Sequence, residues 1–381
     1  MKRVLFALIV VVILISVGLL FGLNKHIPST TSLPKQKAQV AIPTVTNEKT
    51  NTPTTMIADH LTIPWAIASL PDGFLLATER TGRVLRIDPN KKEAPTAVAT
   101  LPEVKVSGEG GLLGLVLHPD FANNQFVYLY YTYSTNGVNT LNRVVRMTYR
   151  NNLLSDEKMI VEAIPGSLFH DGGRIKFGPD GYLYIGTGDA QEPSLAQDTK
   201  SLAGKILRVT DSGSPAPGNP FGNAVYSYGH RNVQGLAWNN KGELWATEHG
   251  VSGLETGLDE INHIELGKNY GWPVIKGDQT QAGMVKPVYN SGTTTTWAPS
   301  GAVFVGDSLF FGGLRGQSLY EAVIADGKVT TFTPHLVGTY GRLRDVIAAN
   351  DGLLYVTTSN KDGRGSPMSD DDRILLVNPE Q

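Results

Sequence analysis

Pro179-Asp180-Gly181-Tyr182-Leu183-Tyr184-Ile185-Gly186-Thr187-Gly188 is the stretch that decides the fold of this chain. A turn made of residues that tolerate positive φ leads straight into a short alternating strand, which is the chemistry of a tight hairpin. The same unit recurs as Pro71-Asp72-Gly73 before FLLATE, Asn240-Lys241-Gly242 before ELWATE and Asn350-Asp351-Gly352 before LLYVTT. Looser copies stand at Asn123-Asn124-Gln125 (FVYLYYTY) and Gly306-Asp307 (SLFFGG). The units start near 72, 124, 180, 241, 307 and 351, a spacing that suits propeller blades of about four strands with insertions. The pattern predicts an all-β, six-bladed β-propeller. A parallel α/β sheet would need helices between the strands, and those intervals are filled with Gly, Pro, Asn and Thr instead. Arg373-Ile374-Leu375-Leu376-Val377 is expected to pair with a strand near Met56 to Leu61, closing the ring and making residues 57–381 one catalytic-sized domain.

Composition agrees and removes several function classes. The 42 Gly, 22 Pro and 14 Tyr with only 18% charged residues suit a turn-rich β protein. With 33 Lys+Arg against 35 Asp+Glu the net charge is -2, so the electrostatic footprint of a nucleic-acid binder is missing. The absence of Cys excludes a thiol nucleophile, a Cys-held metal and a disulfide framework, and leaves oxygen and His as the metal ligands.

Residues 1–23 (MKRVLFALIVVVILISVGLLFGL) start with Lys2 and Arg3 and then carry no charge from Val4 to Leu23. About 20 such residues, as a helix, span roughly 30 Å of bilayer core. No good small-x-small cleavage site follows, so the segment reads as an uncleaved transmembrane anchor, with a cleaved signal segment and a secreted form as the alternative; Lys2 and Arg3 are expected on the cytoplasmic side and the rest of the chain outside. Residues 24–56, rich in Thr, Pro, Lys and Gln, read as a disordered tether.

Propellers carry their chemistry on loops around the central channel. Five polar segments are candidates. His170-Asp171-Gly172-Gly173-Arg174, followed by Gly186-Thr187-Gly188-Asp189, offers an imidazole base beside glycines that let a planar ligand approach, or a His that only caps a turn. Gly229-His230-Arg231-Asn232 sets a permanent cation next to an amide, which also suits a solvated ion pair. Glu248-His249-Gly250, Asp259-Glu260-Ile261-Asn262 and Asn269-Tyr270-Gly271-Trp272-Pro273 combine carboxylates with turn carbonyls, the donors a hard cation such as calcium prefers. In Gly341-Arg342-Leu343-Arg344-Asp345, strand alternation puts both guanidinium groups on one side, where they suit a polyanion. Glu109-Gly110-Gly111-Leu112-Leu113-Gly114 with His118-Pro119-Asp120-Phe121 also reads as a tight turn into a buried strand.

Taken in order, EGGLLGLVLHPDF, HDGGRIKFGPDGYLYIGTGD, GHRNVQGLAW, ATEHG, DEINHIELGKNYGWP and GRLRDV resemble the soluble aldose sugar dehydrogenases that depend on pyrroloquinoline quinone (PQQ), the glucose/sorbosone dehydrogenase family of six-bladed propellers. The likeness runs from about Ile63 to Val377. It implies a quinoprotein oxidoreductase that oxidises the C1 hydroxyl of aldoses to the lactone, with PQQ and calcium as cofactors. By position it makes His170 the base, with hydride passing to the C5 carbon of PQQ, Asp189 the group that orients it, and Arg231 with Asn232 the stabilisers of charge at the quinone oxygens. Arg342 and Arg344 would hold the PQQ carboxylates, with Arg315 a further basic contact. The main-chain oxygens of Gly250 and Val251 would hold the calcium that bridges to the cofactor, and Glu260 with the carbonyl of Tyr270 a second, structural calcium. Glu109 stands where familiar members carry Gln, and Val251 where a small residue or Pro is more usual. A broad aldose range is the expectation, with electrons leaving to an external acceptor because no haem or flavin motif is present. Two other readings are a catalytically silent propeller that binds carbohydrate or protein at the cell surface, and a calcium-dependent lactonase. Neither needs a base, its orienter and three cationic clamps together.

Overall fold

Each of the six turn units closes the hairpin between the first and second strands of a four-stranded antiparallel sheet. The turns share a local cause: Asp72 Oδ1 accepts the Phe74 N–H, Asp180 Oδ1 that of Tyr182 and Asn239 Oδ1 that of Lys241, at 3.2, 3.3 and 3.0 Å. Gly181 follows with φ +78 and open space around it, so glycine serves backbone conformation there and not packing.

The computed structural model describes residues 54–253 and 255–379. The blades in chain order are Pro64–Ser69, Leu75–Glu79, Arg83–Ile87 and Thr96–Thr100; Leu112–Leu117, Phe126–Tyr133, Leu141–Arg150 and Leu153–Pro165; Ile175–Phe177, Leu183–Gly186, Lys205–Val209 and Val225–Tyr228. Then come Val233–Trp238, Leu244–Glu248, Glu260–Ile264 and Tyr289–Asn290; and Pro299–Val305, Ser308–Gly313, Ser318–Ala325 and Lys328–His335. The sixth blade is Leu343–Ala348, Leu354–Thr358 and Ile374–Val377, completed by Thr54–Ala58 from the start of the described chain.

That last pairing, Thr54 with Val377 and Met56 with Leu375, is the closure expected from the sequence. The strand begins at Thr54, inside the stretch assigned to the tether, because Thr54, Thr55 and Met56 supply the ladder that Val377, Leu376 and Leu375 would otherwise leave open. The expected anchor (1–23) and the rest of the tether lie outside the described residues. No helix among the described residues is long and apolar enough to cross a membrane.

The cores form between neighbouring blades. Trp65, Tyr128, Tyr130, Trp245 and Phe311 are among the largest fully buried side chains, and burying a ring such as that of Phe311 contributes about 1.5–3 kcal/mol. The channel itself is spanned by a polar group: Arg174 pairs with Asp345 at 2.9 Å, donates to the Gln234 carbonyl at 2.9 Å, and lies 4.3 Å from the Trp65 ring. Because strands one and two of every blade meet at these turn units, the start of strand one and the end of strand two lie together at the opposite rim. Every candidate segment falls at that rim except His118-Pro119-Asp120-Phe121, which follows the first strand of the second blade and lies at the turn end.

Candidate active site

The rim opens on a cavity of about 540 Å³ lined by residues from all six blades. His170 precedes the first strand of the third blade and holds φ +66, an uncommon backbone region for a residue with a Cβ. Two neighbouring glycines make room for this turn. A Cβ on Gly188 would stand 1.7 Å from the His170 carbonyl, and one on Gly172 would stand 2.5 Å from the Gly186 carbonyl. Asp189 leaves the second strand of the same blade and meets His170 Nδ1 at 2.7 Å. The Asp189 carboxylate is fully buried, and it also accepts the Trp272 indole N–H at 2.8 Å and the Gln191 N–H at 2.9 Å. With Nδ1 held this way, Nε2 is the nitrogen left for a ligand.

Arg231, Arg315, Arg342, Arg344 and Arg364 line the cavity with Glu109, Asp171 and Asp259. Arg342 and Arg344 do share one side of their strand, as alternation requires. Both meet Asp362, Arg342 at 2.7 Å and Arg344 at 3.7 Å, and Arg344 also donates to Gln234 Oε1 at 3.2 Å. Burial pushes the Arg344 guanidinium down to about 9 despite Asp362. Arg231 donates to Ser252 Oγ at 2.8 Å while its Nε is buried without a partner, and burial lowers its pKa against the pull of Asp189 and Glu248.

The other expected residues divide between the cavity wall and its surroundings. Asn232 is fully buried below the cavity, its Oδ1 taking the Gly172 N–H at 3.0 Å and its Nδ2 left unpartnered. Gly250 and Val251 line the cavity, with the Gly250 N–H given to Asp259 at 2.9 Å. Glu260 lies behind them on a space of about 10 Å³ shared with Glu248, Gly250 and Val251. Burial first, and then Glu248, raises the Glu260 pKa. Asn262 Oδ1 beside it is buried without a partner. Tyr270 is packed away from the cavity, stacked on His230 at 4.7 Å with its hydroxyl donating to the His263 carbonyl at 2.6 Å.

Sequence reasoning missed Asp362, Gln234, His249 as a cavity group, and Arg364. Asp362 and Arg364 lie in Lys361-Asp362-Gly363-Arg364-Gly365, which reads as an ordinary solvated turn. His249 Nε2 is buried without a partner at the cavity wall, and burial holds its ring near 3, well below the usual imidazole range.

Residues 61–374 match the model of the glucose/sorbosone dehydrogenase family. This chain belongs to the glucose/sorbosone dehydrogenase family. The aldose sugar dehydrogenase of Escherichia coli is 33% identical over 345 residues, covering 81% of this chain and 90% of that protein. Among solved structures, the PQQ-bound form of the aldose sugar dehydrogenase from Streptomyces coelicolor is 42% identical, with a TM-score of 0.80 over 86% of this chain and 98% of that one. The apo-form of the Escherichia coli enzyme is 32% identical, with a TM-score of 0.77 over 86% of this chain and all of the other. Family membership makes this glucose/sorbosone dehydrogenase homologue an oxidoreductase of the quinoprotein sugar dehydrogenase type.

Proposed function

We propose that this protein oxidises the C1 hydroxyl of aldoses to the lactone with PQQ as its cofactor. The observation that carries the reading is the buried Asp189 carboxylate 2.7 Å from His170, at the wall of a cavity that also gathers five arginines. The donor set suits a planar polyanion: Arg315 adds a cation with no ion-pair partner among the described residues, and Arg231 Nε and His249 Nε2 are buried without a hydrogen-bond partner. When bound, PQQ would supply the hydride acceptor. Arg342, Arg344 and Arg315 would hold its carboxylates, and Arg231 would face the oxygens on which charge develops.

The rest is the work of the chain. Asp189 accepts the Nδ1 proton, which fixes the tautomer and leaves Nε2 basic. His170 Nε2 then takes the proton of the sugar hydroxyl as the C–H bond breaks. The side chain of His170 is only 17% exposed, so the dyad works largely away from bulk water. Calcium is part of the proposal. Among the described residues no group of three or more acidic or imidazole ligands comes together, so a cation would draw on backbone carbonyls, those of Gly250 and Val251 at the cavity. Glu260, with the Tyr270 carbonyl, would take a second one, the Glu248 and Glu260 carboxylates accounting for its attraction to charge. An external acceptor would collect the electrons, with the propeller held outside the membrane by residues 1–23.

The test is dye-linked oxidation of an aldose panel by residues 51–381, with and without PQQ and calcium. Turnover that requires PQQ and falls by about 10²–10⁴ in His170→Ala is expected. Failure of PQQ to bind would favour the silent binding propeller.

A further inference from the structure

Arg364 follows the second strand of the sixth blade and reaches across the mouth of the cavity to the second. Its Nη1 donates to Glu109 Oε1 at 2.6 Å, and its guanidinium carbon lies 5.3 Å from the centre of the Phe169 ring. The second oxygen of Glu109 accepts the backbone N–H of His170 at 3.0 Å. Glu109 is therefore the middle of a chain that starts on a half-exposed arginine and ends on the peptide of the proton acceptor.

That peptide needs holding. A non-glycine residue keeps positive φ only where its surroundings over-determine it, and His170 is tied at three points. Asp189 holds its ring, the Ala190 N–H reaches its carbonyl at 3.3 Å, and Glu109 takes its N–H. Of these, the Glu109 tie depends on a flexible side chain from a different blade. Its second fixed point is Arg364. Burial alone would raise the Glu109 carboxyl, but His249, the His170 N–H and Arg364 together hold it near 2, so it is ionised.

We propose that Arg364 is a positioning residue for His170: by clamping Glu109, it fixes the turn that presents the imidazole to the cavity. The proposal rests on His170 being the proton acceptor, as argued above. The charged and titratable groups around His170 are Asp171 and Asp189 on its own blade, Glu109 from the second, Arg231 and His249 from the fourth and Arg364 from the sixth.

The variants are Arg364→Met, Arg364→Lys, Glu109→Gln and the double Glu109→Gln/Arg364→Met. In the protein without cofactor, NMR titration of the His170 ring, assigned by its loss in His170→Gln, reads the coupling directly. Removing the cation is expected to raise the His170 midpoint, and removing the anion to lower it. In turnover, Arg364→Met is expected to lower kcat about tenfold with KM changed less than about twofold, and Arg364→Lys to recover most of it. In the Glu109→Gln background the same Arg364→Met change is expected to move kcat less than about twofold. Additive losses, an unmoved titration, or a lower melting temperature with unchanged kcat would each overturn the clamp. If the unmutated protein turns over no sugar, the functional reading fails while the titration still decides the clamp.

Discussion

Two histidines in this propeller are bound to carboxylates in nearly the same way, yet only one of them borders the cavity. His170 meets Asp189 at 2.7 Å and His230 meets Glu248 at 2.8 Å, each through Nδ1. The second ring nitrogen separates them. His230 Nε2 is hydrogen-bonded to Ser227 Oγ at 2.8 Å, the ring is stacked on Tyr270, and the side chain is wholly buried. His170 Nε2 borders a cavity. A histidine–carboxylate pair is thus a mark of orientation, and whether it orients a base or a strut depends on what the far nitrogen meets.

The comparison can be broken most strongly by exchanging roles. His170→Ala should lower kcat/KM on the order of 10²–10⁴-fold while moving the melting temperature little, because it removes a group at a cavity wall. His230→Ala should do the reverse. It strands Glu248 as a buried carboxylate beside Glu260, and breaking a buried pair costs about 3–5 kcal/mol, readable by denaturant unfolding. Any protein that remains folded should keep most of its kcat. A catalytic loss in His230→Ala as large as that of His170→Ala would erase the distinction.

A finer separation comes from Asp189→Asn. The Trp272 indole can still donate to the retained carbonyl oxygen, but the tautomer of His170 is no longer enforced, and a loss of about 10–100-fold in kcat is expected. Equal activity would show that the ring is oriented by packing alone. The remaining expected effect is on pH. Asp171, next to His170, is pushed up to about 7 by burial, against donors from Asn142 and Ser167. The folded state therefore holds an extra proton between about pH 4 and 7, and stability contributed by the neutral carboxyl is lost as pH rises through that window. Asp171→Asn should flatten this fall, measured by urea unfolding at pH 5 and pH 8. An unchanged slope would assign it to other groups.

What could be read in advance follows a physical line. The hairpin turns are local: an Asx side chain bonds a backbone N–H two residues on, and glycine takes the positive φ, so six blades were visible in short windows of sequence. The alternation of Arg342 and Arg344 is equally local. Arg364 and Asp362 escaped because a turn rich in Gly, Lys and Asp carries no sign that it faces a cavity. Asn232 follows Arg231 in the chain, and only the fold shows that its Oδ1 accepts the Gly172 N–H of the turn that carries His170.

By itself the sequence determined the propeller, its blade count, the pairing of its first and last strands and the family to which its motifs belong, since these rest on short-range turn chemistry and period-two alternation. Only the tertiary structure decided which histidine has a free nitrogen, that Asp362 sits between the two arginines, and that Arg364 holds Glu109 from 255 residues away. The Arg364–Glu109 contact joins loops of different blades brought together by the closing of the ring, the Asp362 contacts join two segments of the sixth blade, and no local pattern encodes either.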